Sequence, residues 1–240
     1  MLDCEIHELL SAKLKILQPK NSDCLRVNLD TMLLAYFTQR DNLKKNEQIL
    51  ELCTGHGAIS LILSYKGHKL SACDIEPELI EIAKQNAALN KLDISFFASD
   101  VRDYKKWGEC EAYDRIVVNP PYFEPNMVRC SENSARAVAN NGLAMSLSQL
   151  LDAAKYLLCN HGKFDIIIKA SRLSELLTLL ENLHMPAKLV RFVHAKPSKQ
   201  AYICFVSAMK GAKSGVKILP PFFVKDEAGN DTLELGEAYK

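Results

Sequence analysis

Residues 119–122 read Asn119-Pro120-Pro121-Tyr122, and no other stretch of the chain is as specific in its chemistry. They follow Arg115-Ile116-Val117-Val118, an apolar run with the character of a buried parallel strand. Both prolines have a fixed φ and no N–H to donate. Pro120 also drives Asn119 out of the helical region towards an extended one. The expected result is a stiff arch at the carboxyl edge of a sheet. It presents one amide side chain, the unpaired backbone carbonyls of Asn119 and Pro120, and the Tyr122 ring. Such a set accepts hydrogen bonds from an amino group and stacks a flat one. A planar –NH2 compound, an adenine or a carboxamide, meets both conditions.

Other strand ends carry related groups. Glu51-Leu52-Cys53-Thr54-Gly55-His56-Gly57 leaves an earlier strand with two glycines in the turn, which lets a ligand approach the backbone. Glycines at such turns also serve packing alone. A dinucleotide site wants a third glycine at Gly-x-Gly-x-x-Gly spacing, whereas Cys53 precedes the pair here. Asp74 ends the next strand, roughly twenty residues on, where a carboxylate accepts from ribose hydroxyls. Its other reading is as a cap for the helix that Pro77 opens, although Glu76 stands nearer. Asp100 follows the strand Ile94-Ser95-Phe96-Phe97-Ala98 and either accepts from an adenine amino group or is a solvated loop carboxylate. His56 has no evident task, because the turn needs no general base. Glu51, Gly55, Gly57, Asp74, Asp100 and Asn119 all fall at carboxyl ends of successive strands, where ligands bind in open α/β sheets.

The segments that must hold these residues alternate between strand-like and helix-like, which predicts an α/β fold with a parallel sheet. Strands are expected at 49–52, 70–74, 94–98, 115–118, 164–168, 189–193 and 201–208. Helices are expected over 58–65, from Pro77 through Asn86, over 146–158 and over 173–183, with Gly162 as a stop signal after the third. Residues 1–45 read as a helical lead-in, with 29–36 its clearest helix and Asp30 and Thr31 available to cap it. The core is placed at 46–210, and 211–240 is a C-terminal tail of the same domain. Residues 123–142 form a long polar segment after the arch, of the kind that is often functional.

With 240 residues, 48% of them hydrophobic, the chain can bury a large core. No apolar run is long enough to span a bilayer. Met1-Leu2-Asp3-Cys4-Glu5 has no basic region leading into an apolar one, so no secretory signal is expected. The eight cysteines lack a Cys-x-x-Cys pair or zinc spacing and read as reduced thiols of a cytoplasmic protein without a metal. The net charge of +1 argues neither for nor against a polyanion. Its distribution says more: between Asn182 and Lys225 there are seven lysines, one arginine and no acid. That stretch is either a polyanion-binding face or an ordinary solvated lysine surface.

Taken together, these residues resemble the class I S-adenosyl-L-methionine-dependent methyltransferases over about residues 25–170. The resemblance implies a Rossmann-like, seven-stranded, mostly parallel sheet with helices on both faces. The Asn119-Pro120-Pro121-Tyr122 motif is similar to that of members that methylate adenine N6, guanine N2 or a glutamine side-chain nitrogen. Three further stretches resemble bacterial tRNA adenine-N6 methyltransferases that act beside the anticodon of a valine tRNA. They are Leu25-Arg26-Val27-Asn28-Leu29-Asp30-Thr31-Met32-Leu33-Leu34; Tyr122-Phe123-Glu124-Pro125 with Arg129 and Arg136; and Pro197-Ser198-Lys199-Gln200-Ala201-Tyr202 followed by Leu219-Pro220-Pro221-Phe222.

The resemblance implies S-adenosyl-L-methionine as cofactor, held by Glu51, Cys53, Thr54, Gly55, Gly57, Asp74, Ile75, Asp100, Val101 and Asn119. It implies Asn119, Pro120, Pro121 and Tyr122 as catalytic residues, and Tyr122, Phe123, Arg129, Arg136, Lys196 and Lys199 as contacts to a tRNA substrate. The lead-in would close over the cofactor, and a monomer is expected. Two positions depart from the family pattern: Cys53 stands where glycine is usual and Glu51 where Asp is commoner. A glutamine methyltransferase of the release-factor type shares the motif but usually carries a larger helical domain ahead of the core, where about 45 residues stand here. A guanine-N2 or DNA adenine enzyme and a methyltransferase fold that binds RNA without turnover are further alternatives. A nicotinamide-dependent dehydrogenase is disfavoured by the missing third glycine.

Overall fold

Residues 3–20, 27–41, 43–120 and 145–240 are described by the computed structural model. An antiparallel hairpin comes first, β1 (Cys4–Leu9) and β2 (Leu14–Pro19). Helix α1 (Leu29–Arg40) follows, and then β3 (Gln48–Leu52), α2 (Ala58–Tyr65), β4 (Lys69–Asp74), α3 (Pro77–Leu89) and β5 (Ile94–Ala98). A short helix α4 (Tyr104–Trp107) leads to β6 (Tyr113–Val118). Beyond residue 144 come α5 (Leu147–Leu157), β7 (Leu158–Lys169), α6 (Leu173–Asn182), β8 (Ala187–His194) and β9 (Ala201–Met209). The two-residue strands β10 (Lys217–Ile218) and β11 (Phe222–Phe223) and helix α7 (Leu233–Ala238) end the chain.

Seven of these strands form the main sheet in the order β8-β9-β7-β6-β3-β4-β5, and β10 and β11 both pair with β8 at one edge. Every pairing is parallel except those of β9, which runs antiparallel to β7 and β8. This is a Rossmann-like, mostly parallel sheet, as the sequence predicts. Alternate side chains of each strand feed opposite faces. Ile49 and Val117 pack with α1, α2, α3 and the hairpin, whereas Leu50, Leu52, Ile116 and Val118 pack with α5 and α6. Helices therefore cover both faces, as apolar strands of a parallel sheet require.

Arg115, at the head of the apolar run in β6, is fully buried. Its Nη1 donates to Asp165 at 2.6 Å, its Nε to Glu47 at 2.8 Å and its Nη2 to the Asp41 carbonyl at 3.1 Å. Lys163 and Ser207 donate to the Asp41 carboxylate at 2.7 and 2.8 Å. A buried charge persists only when paired in this way. The cluster fastens the end of α1 to β6 and β7.

Two sequence expectations differ from the fold. The lead-in is not helical throughout, because residues 4–19 form the hairpin. Gly162 is not a helix stop: α5 ends at Leu157 and β7 begins at Leu158 and runs through Gly162. Among the described residues no helix is long and apolar enough to cross a membrane.

Candidate active site

The turn from β3 into α2 has three left-handed residues: φ is 57° at Cys53, 57° at Gly55 and 89° at Gly57. The two glycines serve different ends. A Cβ on Gly55 would meet nothing within 4 Å, so this backbone borders open space that a ligand can fill. A Cβ on Gly57 would come within 3.0 Å of the Phe96 ring and 3.2 Å of Ala83 Cβ, so this glycine serves packing. Cys53 holds a side chain in the left-handed region, at a cost of about 1 kcal/mol.

Glu51 does not reach the open space. It is 2% exposed, and its carboxylate accepts from the Ser60 backbone N–H at 2.8 Å and from the Ser60 hydroxyl. Gly57, the N-cap of α2, has no side chain to do this, so Glu51 caps the helix from the strand. Burial pushes its pKa up to about 7. His56 is also buried, which lowers its pKa to about 4 and leaves the ring neutral.

Asp74 ends β4 with both carboxylate oxygens on backbone donors. Oδ2 accepts from Gly55 N–H at 2.7 Å and Oδ1 from Glu76 N–H at 3.1 Å. Burial raises its pKa. Beside it Ile75 is half exposed, an apolar side chain open at the strand edge. Asp100, after β5, is engaged by one neighbour. It accepts from Arg102 backbone N–H at 2.8 Å, and the Arg102 guanidinium grips both oxygens at 2.6–3.0 Å. Those bonds hold its carboxyl below the usual range. Val101 is buried.

Asn119 stands at the end of β6 and is tied to α1. Its Nδ2 donates to Thr31 Oγ1 at 3.2 Å. Thr31 donates in turn, from backbone N–H and hydroxyl, to Asn28 Oδ1 at 3.0 Å each. The cap of α1 is therefore Asn28, not Asp30 or Thr31. Its signal was the Asn-x-x-Thr spacing from N-cap to N3. Pro120 follows, buried. Pro121, Tyr122, Phe123, Arg129 and Arg136 lie outside the described residues.

Two asparagines that carry no motif in the sequence form a further link. Asn86 on α3 is fully buried; its Nδ2 donates to the His56 carbonyl at 3.0 Å and to the Leu17 carbonyl at 3.1 Å, while its Oδ1 accepts from Leu17 N–H at 2.6 Å. Asn90, one turn on, clasps Lys15 in the same two-way fashion at 2.8 and 2.6 Å. The two amides dock β2 beside the glycine turn.

Three of the eight basic residues of this stretch are paired with acids outside it. Arg191 pairs with Glu234 at 2.7 Å, Lys210 with Glu111 at 3.0 Å and Lys225 with Asp231 at 3.1 Å. Lys196 and Lys199 lie between β8 and β9, at the same sheet edge as Asn119, and no ion pair involves them among the described residues. Open space at Gly55, a carboxylate bound to its N–H, the apolar Ile75 edge and the Asn119 amide fit a nucleoside-bearing cofactor with its acceptor close by.

The model of the methyltransferase small domain matches residues 27–192. Over 152 residues the chain is 32% identical to a tRNA1(Val) (adenine(37)-N6)-methyltransferase of Photorhabdus laumondii, which covers 60% of this chain and 59% of that protein. Over 132 residues it is 29% identical to a release factor glutamine methyltransferase of Lactococcus lactis, covering 48% and 47%. The crystal structure of a predicted O-methyltransferase from Agrobacterium tumefaciens aligns with a TM-score of 0.68 at 16% identity, over 88% of this chain and 95% of that one. The chain thus spans about three fifths of the first relative and about half of the second.

Proposed function

The chain belongs to the methyltransferase small domain family, with S-adenosyl-L-methionine as cofactor, and on that premise we propose that it methylates the exocyclic N6 amine of an adenine in tRNA, beside the anticodon of a valine tRNA. The observation that carries the proposal is the Asn119 amide at the end of β6, held by its Nδ2 to Thr31 so that Oδ1 is left to accept. When bound, the cofactor supplies an electrophilic methyl group. Asn119 Oδ1 and the Pro120 carbonyl accept the two N–H bonds of the amine and hold its nitrogen towards the donor. They also stabilise the positive charge that grows on nitrogen, an electrostatic effect built into the fold. No strong base is required before transfer, and water takes the proton afterwards. Gly55 allows close approach to the backbone, and Asp74 offers its remaining lone pairs to ribose hydroxyls.

Tyr122 stacks on the target base, an interaction worth roughly 1–3 kcal/mol on a single strand. Lys196 and Lys199 meet phosphates. An anticodon-loop adenine is already outside regular duplex, so exposing it costs less than flipping a paired base. The longer match to the tRNA enzyme, 60% of the chain against 48%, supports adenine as target. A second reading, methylation of a glutamine side chain, is supported by the match to the release factor enzyme, since a carboxamide offers the same two N–H bonds.

Asn119→Ala tests the proposal when methyl incorporation and cofactor binding are measured separately. Lost turnover with retained binding is expected. Unchanged turnover contradicts the role of the amide.

A further inference from the structure

The polarity of the Asn119 amide is set by a chain of hydrogen bonds that begins at the tip of α1. Asn28 Oδ1 accepts the backbone N–H of Thr31 at 3.0 Å, so the group facing Thr31 is an acceptor. The Thr31 hydroxyl lies 3.0 Å from the same oxygen and has a single proton, which it gives there. Only lone pairs of Thr31 Oγ1 are then left for Asn119, 3.2 Å away, and the Asn119 atom that faces them must be a donor, Nδ2. Oδ1 is thereby turned away from α1. A flipped amide would point its own N–H groups at those of an incoming amine and repel it.

We propose that Thr31 is a positioning residue which, together with Asn28, fixes the Asn119 amide with its oxygen towards the substrate amine. The inference rests on the reading of Asn119 as acceptor for that amine, and it holds for an adenine and for a carboxamide alike. It also gives the N-terminus of α1 a part in the reaction beyond capping. The sheet supplies the acceptor, and the helix tip sets its direction.

Thr31→Val keeps the shape of the side chain and removes the hydroxyl. Its kcat should fall about tenfold, since one side-chain hydrogen bond then no longer orients the amide. KM for tRNA and the affinity for cofactor should stay as in the parent. Thr31→Ser restores the hydroxyl and should restore kcat. Should valine impair folding, judged by the thermal midpoint, Thr31→Ala reads the same loss in a residue well suited to a helix. A parental kcat in Thr31→Val overturns the inference. So does a loss that serine fails to repair, or one matched by an equal loss of cofactor affinity. Asn119→Ala is run alongside to separate the two claims. If it is inactive while Thr31→Val is fully active, only the positioning role fails; if it is active, the reading of the acceptor fails.

Discussion

Gly55 and Gly57 stand two residues apart in one turn and predict opposite phenotypes. At Gly55 an added methyl meets no protein atom within 4 Å, so Gly55→Ala carries only the left-handed backbone cost, about 1 kcal/mol. On the proposed placement of the cofactor the methyl stands in its path, so cofactor affinity should fall about tenfold or more, checked by calorimetry. Gly57→Ala drives a methyl against Phe96 and Ala83 and should cost roughly 2–4 kcal/mol of stability. Equal effects of the two on affinity and stability would refute this division. Glu51 makes a pH prediction. Its folded pKa is about 7 against an ordinary 4.5, so its contribution to stability is fully present below 4.5 and is lost as the pH rises through 7. The loss is on the order of 3 kcal/mol. Glu51→Gln cannot ionise yet still accepts from Ser60, so it should be more stable than the parent above neutrality and gain nothing at acid pH. Urea midpoints at about pH 5 and about pH 8 check this, and a parallel pH dependence in both proteins would count against it. Asn119, Gly55 and Asp74 were legible in the sequence because strand ends in an α/β sheet share one edge. The bonds of Glu51 to Ser60 and of Asp100 to Arg102 were not, because residue type does not say which donor a carboxylate meets.

The hairpin is the element that local pattern could not supply. Its turn holds Leu10, Ser11 and Ala12 at φ of 49°, 51° and 68°, without the glycine or asparagine that announces such a turn. Its strands are secured by Asn86 and Asn90, 69 and 75 residues away in sequence. By contrast the start of α5 was legible, since Ser146 and Gln149 form a capping box. Its end was legible to within a residue, but Gly162 was misread as its stop signal because β7 follows without a loop. Asn86→Ala should cost about 1–3 kcal/mol, since it leaves the buried His56 carbonyl and the part-buried backbone groups of Leu17 unpaired. Amide exchange at Leu17 should quicken more than exchange at Leu50 in the central strand. Uniform protection across both sites would mean that the hairpin does not depend on the clasp.

Across the molecule, Gly55, Asp74, Asn119, Lys196 and Lys199 share the carboxyl edge of one sheet, while Arg191, Lys210 and Lys225 are already paired with acids. The run of basic residues in the sequence therefore overstates the free positive charge, because the compensating acids are distant in the chain. Lys196→Ala with Lys199→Ala should lower the slope of log affinity for RNA against log salt by about 0.7–0.9 for each phosphate that is no longer neutralised. Lys210→Ala should leave that slope alone. An unchanged slope in the first variant would remove both lysines from the RNA interface. The identity of the methyl acceptor decides between the adenine and glutamine readings. The deciding measurement is incubation of the protein with total tRNA and labelled S-adenosyl-L-methionine, followed by nucleoside analysis and identification of the labelled RNA. Label in N6-methyladenosine, within one valine tRNA and absent for Asn119→Ala, is the predicted result. Label in another nucleoside, or tRNA left unlabelled while a glutamine-bearing release factor is methylated, would contradict it.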